Sequence, residues 1–193
     1  MHRLVAIVAA LTLTAFVAGC ASTPPSRFYT LNAARGPAAP SSRLSIAVGP
    51  VSVPAVVDRP QIVVDIGPNQ VRLEEFNRWA APLQNNIARV IADNLVQMLG
   101  TPRVISAVQT LNVDADYRAA IDVQSFQSAP GEAATLDAVW SVRRTKDGKG
   151  ETGRTTVRET VQEKSYDALA AAHSRALARL SQDIADAVRA LER

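Results

Sequence analysis

The chain is poor in the residues that most chemistry needs. One cysteine in 193 residues excludes an internal disulfide framework and a cysteine-rich zinc site. There are two histidines, His2 and His173, so only one lies beyond the first residues for acid–base or metal work. Aromatic residues make up 5%, too few for a stacking surface along single-stranded nucleic acid. The net charge of +3 is spread without a Lys/Arg block, which argues against a nucleic-acid partner. Gly-x-Ser-x-Gly, P-loop, His-Glu-x-x-His and Cys-x-x-Cys spacings are missing. What the chain has in quantity is apolar: 47% hydrophobic against 20% charged, enough to fill the core of one domain carrying a tail.

The amino terminus carries the sharpest local pattern. Arg3 is followed by the apolar run Leu4–Val17 (LVAIVAALTLTAFV). As a helix this run spans about 21 Å, short of the roughly 30 Å of a bilayer core. It has the length of a secretory h-region instead. It ends in Val17-Ala18-Gly19-Cys20, small residues placed before the single cysteine. That order resembles the bacterial lipoprotein signal. The resemblance implies a signal peptide over residues 1–19, a diacylglycerol on the Cys20 thiol and an acyl chain on the new amino terminus. These covalent lipids are expected in place of any cofactor or metal. Each buried methylene contributes about 0.8 kcal/mol, so one chain binds reversibly and several hold firmly. The alternative is an ordinary secretory signal with an incidental cysteine. Position 21 is Ala rather than Asp. By resemblance to the enterobacterial sorting rule, this points to the periplasmic face of the outer membrane rather than to inner-membrane retention.

Residues 20–42 are rich in Ala, Ser, Pro and Gly and read as a lipidated terminus and flexible tether. Within them Phe28-Tyr29-Thr30-Leu31 either docks as a short strand or hook, or meets the membrane with its two aromatics; docking is the commoner fate of such a pair. The domain proper is placed at 43–193. Period-two alternation marks strands at 44–53, 61–66, 71–73, 117–127 and 135–143, with a weaker one at 152–162 and a short one at 104–105. Gly67-Pro68-Asn69 and the loop 146–150 are hairpin turns. Leu83, Ile87, Val90, Ile91, Leu95, Met98 and Leu99 fall at helical spacing, with Pro82 in front and Gly100 behind. A longer helix is expected over 166–192, its apolar stripe rich in alanine. The order of strands, helix, strands, helix predicts an α+β domain: an antiparallel-rich sheet with two main helices packed on it.

Few residues look chemical. His173 falls on the apolar stripe of the last helix, where a lone histidine is more often core than catalyst. Glu74 and Glu75 are adjacent and would point to opposite faces of a strand. Asp114 and Asp116 share a face but lack the further oxygens that calcium needs. Two stretches stand out. The corner Asp58-Arg59-Pro60-Gln61 joins two apolar strands, and the segment Arg78-Trp79-Ala80-Ala81-Pro82-Leu83 places a Trp and an Arg just before a helix. Trp79 reads either as a staple that locks the start of that helix or as part of a protein contact, since Trp and Arg are frequent interface anchors.

Taken together, the lipoprotein signal, Phe28-Tyr29-Thr30-Leu31, Ile46-Ala47-Val48-Gly49-Pro50-Val51, Asp58-Arg59-Pro60-Gln61-Ile62-Val63, Arg78-Trp79-Ala80-Ala81-Pro82-Leu83, Val139-Trp140 and Tyr166-Asp167-Ala168-Leu169 resemble the ABC-type transport auxiliary lipoproteins, the PqiC-like family. The resemblance spans essentially all of residues 20–193. It implies no catalysis. It implies an outer-membrane lipoprotein that docks an MCE-domain tunnel protein and the associated inner-membrane transporter components, in a system moving phospholipid or other hydrophobic cargo between membranes. It also implies a homo-oligomer, with a ring as one form. The candidate contact residues are Asp58, Arg59, Pro60, Gln61, Arg78, Trp79, Pro82 and Leu83, with Cys20 as the lipidation site. Competing readings are a structural lipoprotein of envelope assembly and a small lipid-modifying enzyme.

Overall fold

The computed structural model describes residues 23–36, 39–106 and 114–193. Among these residues eight strands and two helices follow in the order β1 (Arg27–Tyr29), β2 (Ile46–Ser52), β3 (Gln61–Gly67), β4 (Gln70–Trp79), α1 (Leu83–Leu99), β5 (Val104–Ser106), β6 (Tyr117–Ala129), β7 (Ala133–Arg144), β8 (Gly150–Thr160) and α2 (Tyr166–Glu192). No helix among the described residues is long and apolar enough to cross a membrane.

The architecture is α+β. The larger sheet has the order β5-β2-β6-β7-β8 and the smaller one β1-β4-β3. β6, β7 and β8 pair antiparallel, as do β3 and β4. β2 lies parallel to both β5 and β6, and β1 parallel to β4. The antiparallel character expected from the sequence therefore holds for two runs of strands, while the β3–β4 hairpin forms a sheet of its own. α2 covers β6, β7 and β8, α1 covers β2 and β5, and the two helices pack against each other.

Local chemistry explains the elements. Tyr117, Ala119, Ile121 and Val123 alternate into the core. An irregularity between Val123 and Ser125 then shifts the inward set by one residue, to Phe126 and Ser128. The α1 helix ends at Gly100, whose left-handed conformation (φ 63°) suits a residue without Cβ. α2 starts at Ser165, whose Oγ accepts from the Ala168 N–H at 3.1 Å, with Asp167 in the first turn and Arg189 in the last. Buried Ala172, Ala176 and Ala187 bring α2 close to its neighbours.

The domain begins earlier than residue 43. Leu31 is fully buried. The Arg89 guanidinium donates to the Leu31 carbonyl (2.5 Å), to Asn86 Oδ1 (3.0 Å) and to Asp93 (3.0 Å). Asn32 N–H donates to Ser174 Oγ (3.1 Å) and Ala34 N–H to Asn94 Oδ1 (2.8 Å). Asn94 in turn donates to Ser181 Oγ at 3.0 Å, so it ties this segment and both helices together. Ala39 and Ser42 N–H donate to Gln97 and Gly100 carbonyls. The small residues that suggested a tether from composition allow this strap to lie flat on the helices, and Leu31 supplies its apolar peg.

Candidate functional site

The corner at 54–60 is set by local hydrogen bonds. Val57 and Asp58 N–H donate to the Pro54 carbonyl (3.0 and 3.2 Å) and Arg59 N–H to the Val57 carbonyl (2.8 Å). Buried Val57 pins the turn to the core. Pro60 has no N–H to give, but its carbonyl accepts from Trp79 N–H at 2.7 Å. Ala80 N–H donates to the Tyr29 carbonyl at 2.8 Å. Gln84, one residue into α1, donates to Asp58 Oδ2 at 3.2 Å and closes the corner onto the helix.

These contacts bring the two segments singled out in the sequence to one place. Asp58, Arg59, Pro60, Trp79, Ala80, Ala81, Pro82 and Leu83 line a cleft of about 310 Å³. Trp79 is only 5% exposed and Leu83 1%, so both form its floor, while Asp58, Pro60 and Pro82 are exposed on the rim. Trp79 thus acts as the staple beneath the start of the helix rather than as a projecting anchor. Gln61 and Arg78 stand opposite each other on β3 and β4, outside the cleft. Both turn to Glu75: Gln61 Nε2 reaches its carboxylate at 3.5 Å and Arg78 Nε donates to its carbonyl at 2.7 Å. Arg59 is half-buried, and among the described residues its Nε has no hydrogen-bond partner. A buried guanidinium donor left unpaired is costly.

Behind the floor lies an aromatic stack. His173 stacks on Phe126 (3.8 Å between ring centres, 9° between planes), and Trp79 meets both rings edge-on at 6.4 and 6.2 Å. His173 Nε2 is 2.8 Å from Ser128 Oγ, while Nδ1 has no partner among the described residues. Burial pushes the imidazole down to about 3, so the ring is neutral at any physiological pH. Ser128 and His173 form a polar pair sealed in the core, out of reach of a substrate.

Two of the carboxylates singled out in the sequence, Glu74 and Asp116, are held by hydrogen bonds. Burial works to raise Glu74, but hydrogen bonds from Arg72 (2.6 Å) and Tyr166 together hold it below its usual range. Asp116 is held down by hydrogen bonds from the Ser45 hydroxyl and N–H, both at 2.7 Å. It lines an open recess of about 630 Å³ with Asp114, Arg103, Arg144 and Lys146, where both charge signs alternate. Among the described residues no three His, Cys, Asp or Glu side chains gather as metal ligands. Cys20 lies outside the described residues. Sequence reasoning missed Gln84 as the clasp of the cleft and Phe126 beneath it. No local pattern marks either, because each acts across the fold.

Among curated proteins no sequence matches the chain. One family does: its sequence model, described as the ABC-type transport auxiliary lipoprotein component, matches residues 29–185. Solved structures share the fold. One uncharacterised protein has a TM-score of 0.69 at 21% identity over 86% of this chain and 99% of its own. A DUF330 protein from Xanthomonas campestris has a TM-score of 0.65 at 22% identity, covering 82% and 92%.

Proposed function

Because the chain belongs to the ABC-type transport auxiliary lipoprotein components, we propose that it is the outer-membrane docking component of an MCE-type system that carries phospholipid between membranes. Membership makes it a lipoprotein and a transport auxiliary; the family is not one of enzymes. In this reading Cys20 carries the diacylglycerol and N-acyl chain, and the domain faces the periplasm. The 58–61 corner and the 78–83 segment receive the end of an MCE-domain tunnel protein whose inner-membrane components lie on the far side. Several copies, arranged in a ring, would surround that end.

The cleft carries this reading, and within it Arg59. Its apolar floor, proline-bounded rim and the half-buried Arg59 cation suit a partner's small apolar side chain flanked by an acidic group, the make-up of a protein–protein anchor point. Affinity of the detergent-solubilised lipoprotein for a purified MCE-domain protein tests it. Arg59→Glu is expected to weaken binding by about 30-fold, the equivalent of the roughly 2 kcal/mol that defines a hot spot. Unchanged affinity in a folded variant would remove the cleft from the interface. Failure of the unaltered protein to bind any MCE domain would remove the transport system from the proposal and favour envelope assembly.

A further inference from the structure

The larger sheet ends in β8, and no strand among the described residues pairs with its outer side. Its register with β7 is unbroken over all 11 residues. The other edges differ: β1 and β5 have three residues each, and the β3–β4 register shifts twice. The last bonds of the β7–β8 hairpin fix which backbone groups of β8 face outward. Arg144 N–H donates to the Lys149 carbonyl (2.8 Å) at one end, and Val161 N–H to the Glu132 carbonyl (2.9 Å) at the other. Bonded and non-bonded pairs alternate along an antiparallel ladder, so the odd-numbered residues of β8 bond β7 and the even-numbered ones turn N–H and C=O outward. Arg175 fits this alternation, because its guanidinium donates to the outward Thr160 carbonyl at 3.0 Å. Thr152, Arg154, Thr156 and Arg158, all exposed, keep both groups open over about 20 Å of strand.

A bare edge of this length is a template for another strand, and proteins guard such edges with charge. Here the charge is mostly of one sign. Arg154 and Arg158 stand on the open face of the strand, and Arg175 and Arg179 reach over from α2 with side chains 52% and 74% exposed. Two carboxylates answer these four guanidinium groups. Asp137 holds Arg154 at 2.5 Å, and Glu159 is shared by Arg175 (2.9 Å) and Arg179 (3.9 Å). Arg158 has no ion-pair partner among the described residues. The one further acid on the strand, Glu151, precedes the open stretch. In a two-fold pairing of β8 with β8 of a second copy, Arg154 and Arg158 of both strands would gather on one face and repel. The same arginines attract an acidic strand. Beside the Glu159 end a recess of about 430 Å³ lies between the strap and α2, lined by Ala33, Ala34, Ala171 and Ala178 together with Arg175 and Arg179. It has room for an apolar side chain.

We infer that β8 is a docking edge for an extended acidic segment of a partner protein, which adds to the larger sheet as a sixth strand. Its backbone takes up the groups left open at 152, 154, 156 and 158. On the open face its acidic side chains meet Arg154 and Arg158. On the other face, toward α2, an apolar side chain enters the alanine-lined recess. Successive side chains of a strand point to opposite faces, so a segment alternating acidic and apolar residues meets both demands at once. The cleft at Arg59 lies by the smaller sheet, so this inference stands without the docking reading of that cleft.

The test uses the full-length protein in detergent and an end-blocked octapeptide of alternating Glu and Val. Amide hydrogen exchange, read residue by residue by nuclear magnetic resonance, reports the edge. The amides of Thr152, Arg154, Thr156 and Arg158 are expected to exchange quickly in the free protein and at least tenfold more slowly with saturating peptide. The odd-numbered amides of β8 stay protected throughout. The alternating Lys-Val peptide, and the Glu-Val peptide N-methylated along its backbone, are expected to leave all four rates unchanged. Thr156→Pro removes only an outward N–H, which an edge strand tolerates, and is expected to abolish the response. Arg154→Glu combined with Arg158→Glu is expected to weaken the peptide at least tenfold with the far-ultraviolet circular dichroism unchanged, whereas Arg59→Glu leaves its binding as it was. Equal slowing by the Glu-Val and Lys-Val peptides, or slowing by none, overturns the inference. Slow exchange at the four amides in the free protein, or slowing that grows with protein concentration alone, would show the edge already covered or paired with a second copy and would also overturn it.

Discussion

The buried imidazole gives a sharp prediction about acid stability. In the folded chain burial holds His173 down at about 3 against an ordinary 6.5. Unfolding returns it to water, where it takes up a proton below pH 6.5. The unfolded state therefore binds more protons between these two values, and stability falls as pH drops through that window. Above pH 6.5 the stability is complete. At pH 5 the loss from this one group is about 2 kcal/mol, growing by about 1.4 kcal/mol for each further pH unit until the folded form also titrates. The comparison is His173→Phe combined with Ser128→Ala, which keeps the stack on Phe126 and removes both partners of the 2.8 Å contact. Replacing both members of a buried polar pair with apolar groups of similar shape is close to neutral. Urea unfolding followed by far-ultraviolet circular dichroism at pH 7.5 and pH 5 reads the effect. The original protein is expected to lose about 2 kcal/mol more than the double variant over that interval. Parallel losses in the two proteins would show that His173 is not sealed from water as the geometry requires.

Two further substitutions probe packing. A Cβ at Gly153 would sit 2.3 Å from the Trp140 ring, which crosses there to donate to Thr155 Oγ1 at 3.0 Å; Gly153→Ala is expected to cost about 1–3 kcal/mol and to lower the thermal midpoint by several degrees. Leu31→Ala should cost about 2–5 kcal/mol as a buried large-to-small change. Its distinguishing sign is faster hydrogen exchange at the Asn32 and Ala34 amides than in β7, and unchanged protection there would mean that Leu31 does not hold the strap.

Much of the fold could be read from the chain because its signals are local. The α1 helix stops where Gly100 takes its left-handed turn, and α2 starts after Ser165, close to where spacing places their ends. The alternation of Tyr117, Ala119, Ile121 and Val123, and of Leu136, Ala138, Trp140 and Val142, predicts the inner face of β6 and β7. Pairing direction was not legible. Ile46 and Val48 alternate in the same way whether their neighbours run parallel or antiparallel, so the central place of β2 depends on partners far along the chain. The shift after Val123, which turns Phe126 toward His173, likewise leaves no period of its own. In the site, the corner at 58–61 and the segment at 78–83 were visible as unusual sequences. Their union in one cleft was not, because it follows from the pairing of β3 with β4 and the closure of Gln84 on Asp58.

The strap also fixes an order of assembly. Ribosomes deliver residues 27–36 well before α2, yet Asn32 finds its partner at Ser174, 142 positions downstream. Asn32 has no partner until α2 arrives. The nascent amino-terminal half must therefore wait, exposed, for the carboxy-terminal third, and native closure involves long-range contacts of the kind that slow folding. A chain released before Tyr166 would lack the Ser174 partner of Asn32 and the cover over β7 and β8. Arrival of α2 and capture of the segment around Leu31 are, in this fold, a single event.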